Sequence, residues 1–303
     1  MFPKVTNFRH GILHVDANLR LAIPHVSVAD RRVETNQLLS FWHQAWRRFE
    51  DNCPQAQTVL PLLKELGPLS VDHVALRTFN LPAINRDKVG SIFKRHGYLK
   101  VPELLKFSDK HLQADYYIHP DANQPKIFVS ELCVEKVSPA LQSFVWQTAR
   151  HARVEKLDDF LNPNWSAVSL PQYEEALQES EYAAWVSAFG LQVNHFAFLT
   201  NDFGSHSNLP ELNRLLLSKG FTLNAAGGLV KGSKSDLLEQ SSTMAPLVCG
   251  RFKERWHPIP GCSVEFVQRH PIGTVEGLLY QGFRSGNANK IFESTSQSKF
   301  KTQ

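Results

Sequence analysis

Two histidines and two acids stand where a metal ion could use them. His73 lies in Val71-Asp72-His73-Val74-Ala75-Leu76-Arg77-Thr78, and His195 lies in Val193-Asn194-His195-Phe196-Ala197-Phe198-Leu199-Thr200. Val, His, Ala and Thr recur in register between these stretches. Each alternates as a half-buried strand does, so His73, Ala75 and Arg77 share one face while Val74 and Leu76 share the other. Glu131, in Val129-Ser130-Glu131-Leu132, and Glu265, in Val264-Glu265-Phe266-Val267, both interrupt apolar runs and stand at matching places on later strands. A carboxylate on a central strand is costly unless it is paired or binds a metal. Two imidazoles and one carboxylate on one face, with coordination positions left open, are what a non-haem iron(II) site requires. Such a site can hold a 2-oxo acid through two oxygens and still admit O2.

Taken one at a time, each of the four reads more readily as a core residue, the histidines satisfied internally and the acids paired with Arg77 or Arg269. The repeat ties all four to equivalent positions, and jointly they favour a metal. Arg77 has no counterpart in the second copy, where Leu199 stands. At ~3.3 Å per strand residue its Cα is roughly 13 Å from that of His73, on the same face. A metal at His73 and a guanidinium at Arg77 would thus be separated by about the length of a short dicarboxylic acid, and arginine's planar fork suits a carboxylate. The competing reading is a strand-end arginine bonded to Glu131. Other motifs fail: Gly227–Lys234 reads GGLVKGSK, with serine where a phosphate loop needs lysine, no HExxH occurs, and Gly204–Asn208 lacks the second glycine of a nucleophile elbow.

The elements that must position these residues form two similar series. A helix is expected from Thr35 through Phe49 and another over Gln55–Leu66, ended by Gly67-Pro68. The first repeat strand is followed by a helix through Val89, Ile92 and Phe93. Strands are then predicted over Leu99–Phe107, Ala114–Ile118 and Lys126–Leu132. Residues 138–190 read as a helical connection, with helices over Ser138–Ala152 and Gln172–Phe189. The second repeat strand leads to a helix over Leu209–Gly220, then strands at Phe221–Asn224, Leu237–Thr243 and Ser263–Arg269. The order is βαβββ twice, in modules at about 71–132 and 193–269. This predicts an α+β fold of paired modules around a shared cleft, a single catalytic domain over 34–296. Residues 1–33 form an unassigned extension and 297–303 a tail.

Composition sets the setting. A chain of 303 residues, 42% hydrophobic and 20% charged, can bury a large core. Its net charge of +4 is scattered, with Arg47-Arg48 as a dense pair that a solvated helix face explains better than a nucleic-acid footprint. Cys53, Cys133, Cys249 and Cys262 lie far apart without a CxxC pair and read as buried free thiols. No secretory signal or membrane-length apolar run is evident, so a cytoplasmic setting is expected, with no nucleic acid, membrane or protein partner.

The motifs carry a resemblance. Duplicated βαβββ units around a His/His/Glu metal resemble the vicinal oxygen chelate fold of glyoxalases and extradiol dioxygenases. More narrowly, VDHVALRTF at 71–79, PKIFVSEL at 125–132, NHFAFLT at 194–200, LLEQSSTMA at 237–245, IPGCSVEFVQR at 259–269 and NKIFEST at 289–295 resemble the 2-oxoadipate dioxygenase/decarboxylase family, also called 2-hydroxyglutarate synthase. The resemblance covers roughly residues 35–296, in a chain shorter than the best characterised bacterial members. It implies Fe(2+) held by His73, His195 and Glu265, a small-molecule 2-oxo acid bound between His73 and Arg77, and O2 as the second reactant. It also implies that Glu131 acts on protons from behind the ligands and that the tail contacts substrate near Glu293 and Ser294. The implied reaction turns 2-oxoadipate and O2 into 2-hydroxyglutarate and CO2, as in lysine degradation. The alternatives are a glyoxalase-like metal-dependent isomerase or hydrolase, and a metal-free binding module.

Overall fold

The computed structural model describes residues 29–161, 165–273 and 278–295. Helices α1 (Ala29–Asn52) and α2 (Ala56–Leu66) come first, then β1 (Val71–Phe79), α3 (Arg86–Arg95), β2 (Leu99–Lys100), β3 (Leu105–Phe107), β4 (Leu112–Ile118) and β5 (Lys126–Leu132). Helices α4 (Pro139–Ala149), α5 (Leu170–Glu179) and α6 (Glu181–Phe189) lead to β6 (Val193–Leu199), α7 (Leu209–Ser218), β7 (Lys231–Ser233) and β8 (Leu238–Ser242). The hairpin β9 (Leu247–Arg251) and β10 (Trp256–Pro260), β11 (Ser263–Arg269), α8 (Ser285–Ile291) and a 3-10 turn at Phe292–Thr295 follow. Helix α1 begins inside the supposed extension, while residues 1–28 and the tail at 297–303 lie outside the described residues. Among the described residues no helix is long and apolar enough to cross a membrane.

Nine strands make one sheet in the order β2-β4-β5-β1-β6-β11-β8-β7, with β3 also on β4. Its two halves correspond: β1 pairs in parallel with β5, and β6 with β11, while β1 and β6 meet antiparallel at the centre. The modules predicted from the repeat therefore join through their first strands. Every residue of β1 and β6 is buried, where the alternation predicted half-buried strands. Both faces are covered, which is how parallel-paired strands occur. On the back face, α1 sets Trp46 and Phe49 edge-on to Phe196, with ring centroids 5.0 Å apart in each case. The opposite face, carrying His195, is covered by α6 and the C-terminal turn.

Four expectations change. The strand predicted over Leu99–Phe107 is two short ones, β2 and β3, that pair separately with β4. The helix predicted over Gln172–Phe189 is two helices. Ser180 takes an extended conformation, ends α5 with its N–H on the Ala176 carbonyl, and caps α6 by accepting from the Ala183 N–H. Phe221–Asn224 forms only a single bridge, Leu223 to Thr243. The β9–β10 hairpin was not predicted, and it leaves Cys249 exposed, unlike the other three cysteines.

Candidate metal centre

The bulk of the site face near the sheet centre is small. Ala75 and Ala197 lie on it beside the histidines, since His73 pairs with Ala197 and Ala75 with His195 across the β1–β6 seam. Over that alanine floor the structure brings together His73, His195 and Glu265, with one donor atom from each all within 4.8 Å of one another. The imidazole Nε2 atoms stand 3.7 Å (His73) and 3.3 Å (His195) from the two Glu265 carboxylate oxygens. The rings are 5.6 Å apart and nearly perpendicular.

Each imidazole is oriented by its preceding residue. Nδ1 of His73 is 2.8 Å from an Asp72 oxygen, and Nδ1 of His195 is 3.0 Å from the Asn194 amide oxygen. With Nδ1 engaged, Nε2 is the atom offered to a metal. Strict alternation would send Asp72 to the opposite face, but the β1–β6 register shifts between Val71 and His73, a bulge of the kind that re-aims a side chain. Asp72 is itself clasped by Arg269, through Nε at 2.5 Å and Nη2 at 2.8 Å, and by Lys126 at 3.2 Å. Arg269 spends its remaining nitrogen on the carbonyls of Tyr280 and Gly282. That holds the following loop so that Phe283 lies 4.9 Å from the His73 ring.

The electrostatics of His195 and Glu265 suit ligand duty, while His73 is held by its acids toward the protonated form, which a cation in the site would displace. Burial pushes the His195 imidazole down to about 4 despite Glu265, so the ring is neutral near pH 7. Burial opposes charge on His73 too, but its contacts with Asp72 and Glu265 outweigh that and raise it. Burial would raise the Glu265 carboxyl, yet the two histidines hold it below the usual range. One oxygen of Glu265 is buried without a hydrogen-bond partner. A buried, unpartnered carboxylate oxygen facing two oriented imidazole nitrogens fits a divalent cation, because the cation removes the desolvation cost that the oxygen otherwise carries.

Glu131 is not part of this cluster. If His73 is equivalent to His195, the place equivalent to Glu265 is the partner of Ala75 on β5, and that residue is Phe128. Glu131 pairs with Thr78, three residues further along β5. An odd displacement on a strand turns a side chain to the other face of the sheet. There the Glu131 carboxylate accepts from the Arg86 backbone N–H at 2.9 Å and from its guanidinium at 2.7 Å. The predicted role behind the ligands is thus corrected to an ion pair at the start of α3.

Arg77 is on the site face and 2% exposed. Its guanidinium sits over the rings of Tyr182, Trp185 and Phe292 at 5.2, 5.2 and 5.7 Å. It forms no bond to Glu131, which was the competing expectation. It borders a cavity of about 220 Å³ shared with Lys110, Glu181, Tyr182 and Phe292. Ser294 is buried and bonded to the Ser263 hydroxyl at 3.2 Å, whereas Glu293 pairs with the cavity-lining Lys110. Sequence reading missed Asp72, Asn194 and Glu181, and set Arg269 against Glu131 or Glu265 where it pairs with Asp72. The acid or amide before each histidine was the available signal for the first two.

A family model described as 2-oxoadipate dioxygenase/decarboxylase matches residues 147–278. A chloroplastic 2-oxoadipate dioxygenase/decarboxylase of Arabidopsis thaliana is 32% identical, over 80% of this chain and 73% of the relative. Among solved structures, hydroxyglutarate synthase from Oryza sativa, in complex with 2-oxoadipate, superposes with a TM-score of 0.81 at 28% identity over 92% of this chain and 98% of its own. A Shewanella frigidimarina protein described as a hydrolase reaches 0.74 at 37% identity over 81% and 97%. A glyoxalase superfamily protein from Ralstonia eutropha, at 0.64 and 19% identity over 93% and 92%, shares the fold.

Proposed function

The chain belongs to the 2-oxoadipate dioxygenase/decarboxylase family, and from that membership we propose an iron(II)-dependent enzyme that converts 2-oxoadipate and O2 into 2-hydroxyglutarate and CO2. The observation that carries this reading is a cluster of three donor residues, His73, His195 and Glu265, whose fourth symmetric place is filled by Phe128. Three protein donors would leave an iron ion room for two substrate oxygens and O2. Bound iron(II) supplies the Lewis acid for the 2-oxo acid and the electrons that make O2 reactive. The protein's share is to orient and to exclude water. Asp72 and Asn194 fix the imidazoles, and Arg77 takes the distal carboxylate. Tyr182, Trp185 and Phe292 wall the guanidinium from solvent, which strengthens its attraction for an anion.

The hydrolase description of the Shewanella relative favours a second reading, a glyoxalase-like hydrolase or isomerase that needs no O2. An oxygen electrode separates the two. Protein loaded anaerobically with iron(II) and 2-oxoadipate, then opened to air, should take up O2 in step with CO2 release. Conversion of the 2-oxo acid without O2 uptake would give the case to the second reading. Stoichiometric metal retained in both His73→Ala and His195→Ala would dismiss the ligand set.

A further inference from the structure

Arg77 borders its cavity, whose lining includes none of His73, His195 and Glu265, with an incomplete set of partners. Among the described residues Arg77 makes no ion pair with a carboxylate, Glu181 being the charge that acts on it most strongly through space, and its Nε has no hydrogen-bond partner. Three aromatic faces hold the cation, but attraction to a ring face centres a guanidinium without fixing how it is turned about its own axis. One directional contact remains: Nη1 donates to the Thr295 hydroxyl at 3.3 Å. A hydroxyl has a single proton, so what it presents to Arg77 depends on where that proton goes. Here it goes to Glu181, whose carboxylate accepts from Thr295. The oxygen lone pairs are thereby left for Arg77, whose buried Nε hydrogen remains without a partner.

We propose that Glu181 and Thr295 are positioning residues that turn Arg77 so that its free edge meets the distal carboxylate, and that they thereby set the preference for a dicarboxylic 2-oxo acid. This rests on the reading of Arg77 as the distal-carboxylate anchor. Three distant parts of the chain make the device. Arg77 comes from β1, Glu181 opens α6 at the break made by Ser180, and Thr295 ends the C-terminal turn, which is tied down where the Ala245 N–H donates to the Ser294 carbonyl. Glu181 lines the same cavity as Arg77. Without the acceptor at Glu181, the hydroxyl can rotate and present its proton to the cation, and the fork loses its fixed direction.

The test compares 2-oxoadipate with 2-oxohexanoate, which has the same length but no second carboxylate, on full-length iron(II)-loaded protein followed by O2 uptake. Thr295→Val keeps the shape and removes the hydroxyl. It should lower kcat/KM for 2-oxoadipate about tenfold more than for 2-oxohexanoate, chiefly through KM, as expected for one hydrogen bond to a charged group. Thr295→Ser should restore most of the difference, and Glu181→Ala should shift the ratio in the same direction as Thr295→Val. An unchanged substrate ratio in Thr295→Val or Glu181→Ala, or no rescue by Thr295→Ser, overturns the inference. Arg77→Lys keeps the outcomes apart. If it discriminates between the substrates while the other variants do not, only the positioning device fails. If it loses both substrates equally, the reading of Arg77 falls and the device with it.

Discussion

Asp72→Asn tests whether the two histidines are held by the same means. The wild-type carboxylate accepts from Arg269 twice, from Lys126 and from the His73 ring, and the side chains of Asp72, Arg269 and His73 are each at most 2% exposed. An amide is nearly the same shape and can still accept through one oxygen, as Asn194 does for His195. It cannot balance the guanidinium. Arg269 would remain charged with carbonyls of Tyr280 and Gly282 as its other partners, and stranding one member of a buried pair costs about 3–5 kcal/mol. That is a large share of the ~5–15 kcal/mol that holds a typical protein folded. An amide no longer clasped by Arg269 holds the His73 ring less firmly, so metal binding should also weaken, by roughly 10–100-fold if that clasp is what orients the imidazole. Urea unfolding of the metal-free protein measures the first effect, and competition with a chromophoric chelator measures the second. Lys126→Met is the control, because it removes a neighbouring charge and leaves the Arg269 clasp. If Asp72→Asn unfolds at the wild-type urea concentration and binds metal within about threefold of wild type, the clasp does not orient His73 and the reasoning from the buried pair is wrong.

Glu131→Gln should cost ~1–3 kcal/mol by weakening the contact with Arg86, yet keep both metal and turnover per folded molecule; a specific loss of turnover would return Glu131 to the site. Phe128→Glu places an acid where the second module has Glu265, so metal should be retained while O2 uptake falls; undiminished uptake by a metal-loaded variant would undercut the three-ligand argument. Cys249 alone is exposed among the four cysteines, and burial pushes the Cys53 thiol up to about 12 and Cys262 well above its ordinary value. Native protein should therefore react with one equivalent of a thiol reagent, at Cys249 by mass spectrometry, and rapid labelling of Cys53 or Cys262 would contradict the packing.

Much of the frame was legible because its signals are local. The two opening strands are written with the same residues, and the closing strands appear at Lys126–Leu132 and Ser263–Arg269, the bounds their apolar runs suggest. Glu131 misled because it and Glu265 sit in similar strand sequences. Which face an acid takes depends on pairing with the neighbouring strand, and the offset between Phe128 and Glu131 is invisible without that register. The break at Ser180 was hidden by helical spacing on both sides of one small polar residue. Glu181 and Thr295 were out of reach for another reason: they lie 114 residues apart and meet only through tertiary packing.

The duplication explains why the centre is lopsided. A strictly symmetric pair of modules would offer two histidines and two acids, and would fill four coordination positions with protein. Here each module gives one histidine, and the remaining duties are divided. The second module keeps the acid at Glu265, while the first has Phe128 in that place and carries Arg77 where the second has Leu199. Both departures fall in the first module. An apolar residue at the fourth position would leave coordination space open beside a bound metal, and Phe283 packs against both Phe128 and His73 at 5.1 and 4.9 Å on that side. The arginine lies further along the same face of β1, where it would give a ligand held at a metal a second point of attachment. A four-ligand site with no arginine would suit a metal that only polarises its substrate. Three ligands with an anchored cation suit one that must hold a dicarboxylic acid by both ends and still leave a position free.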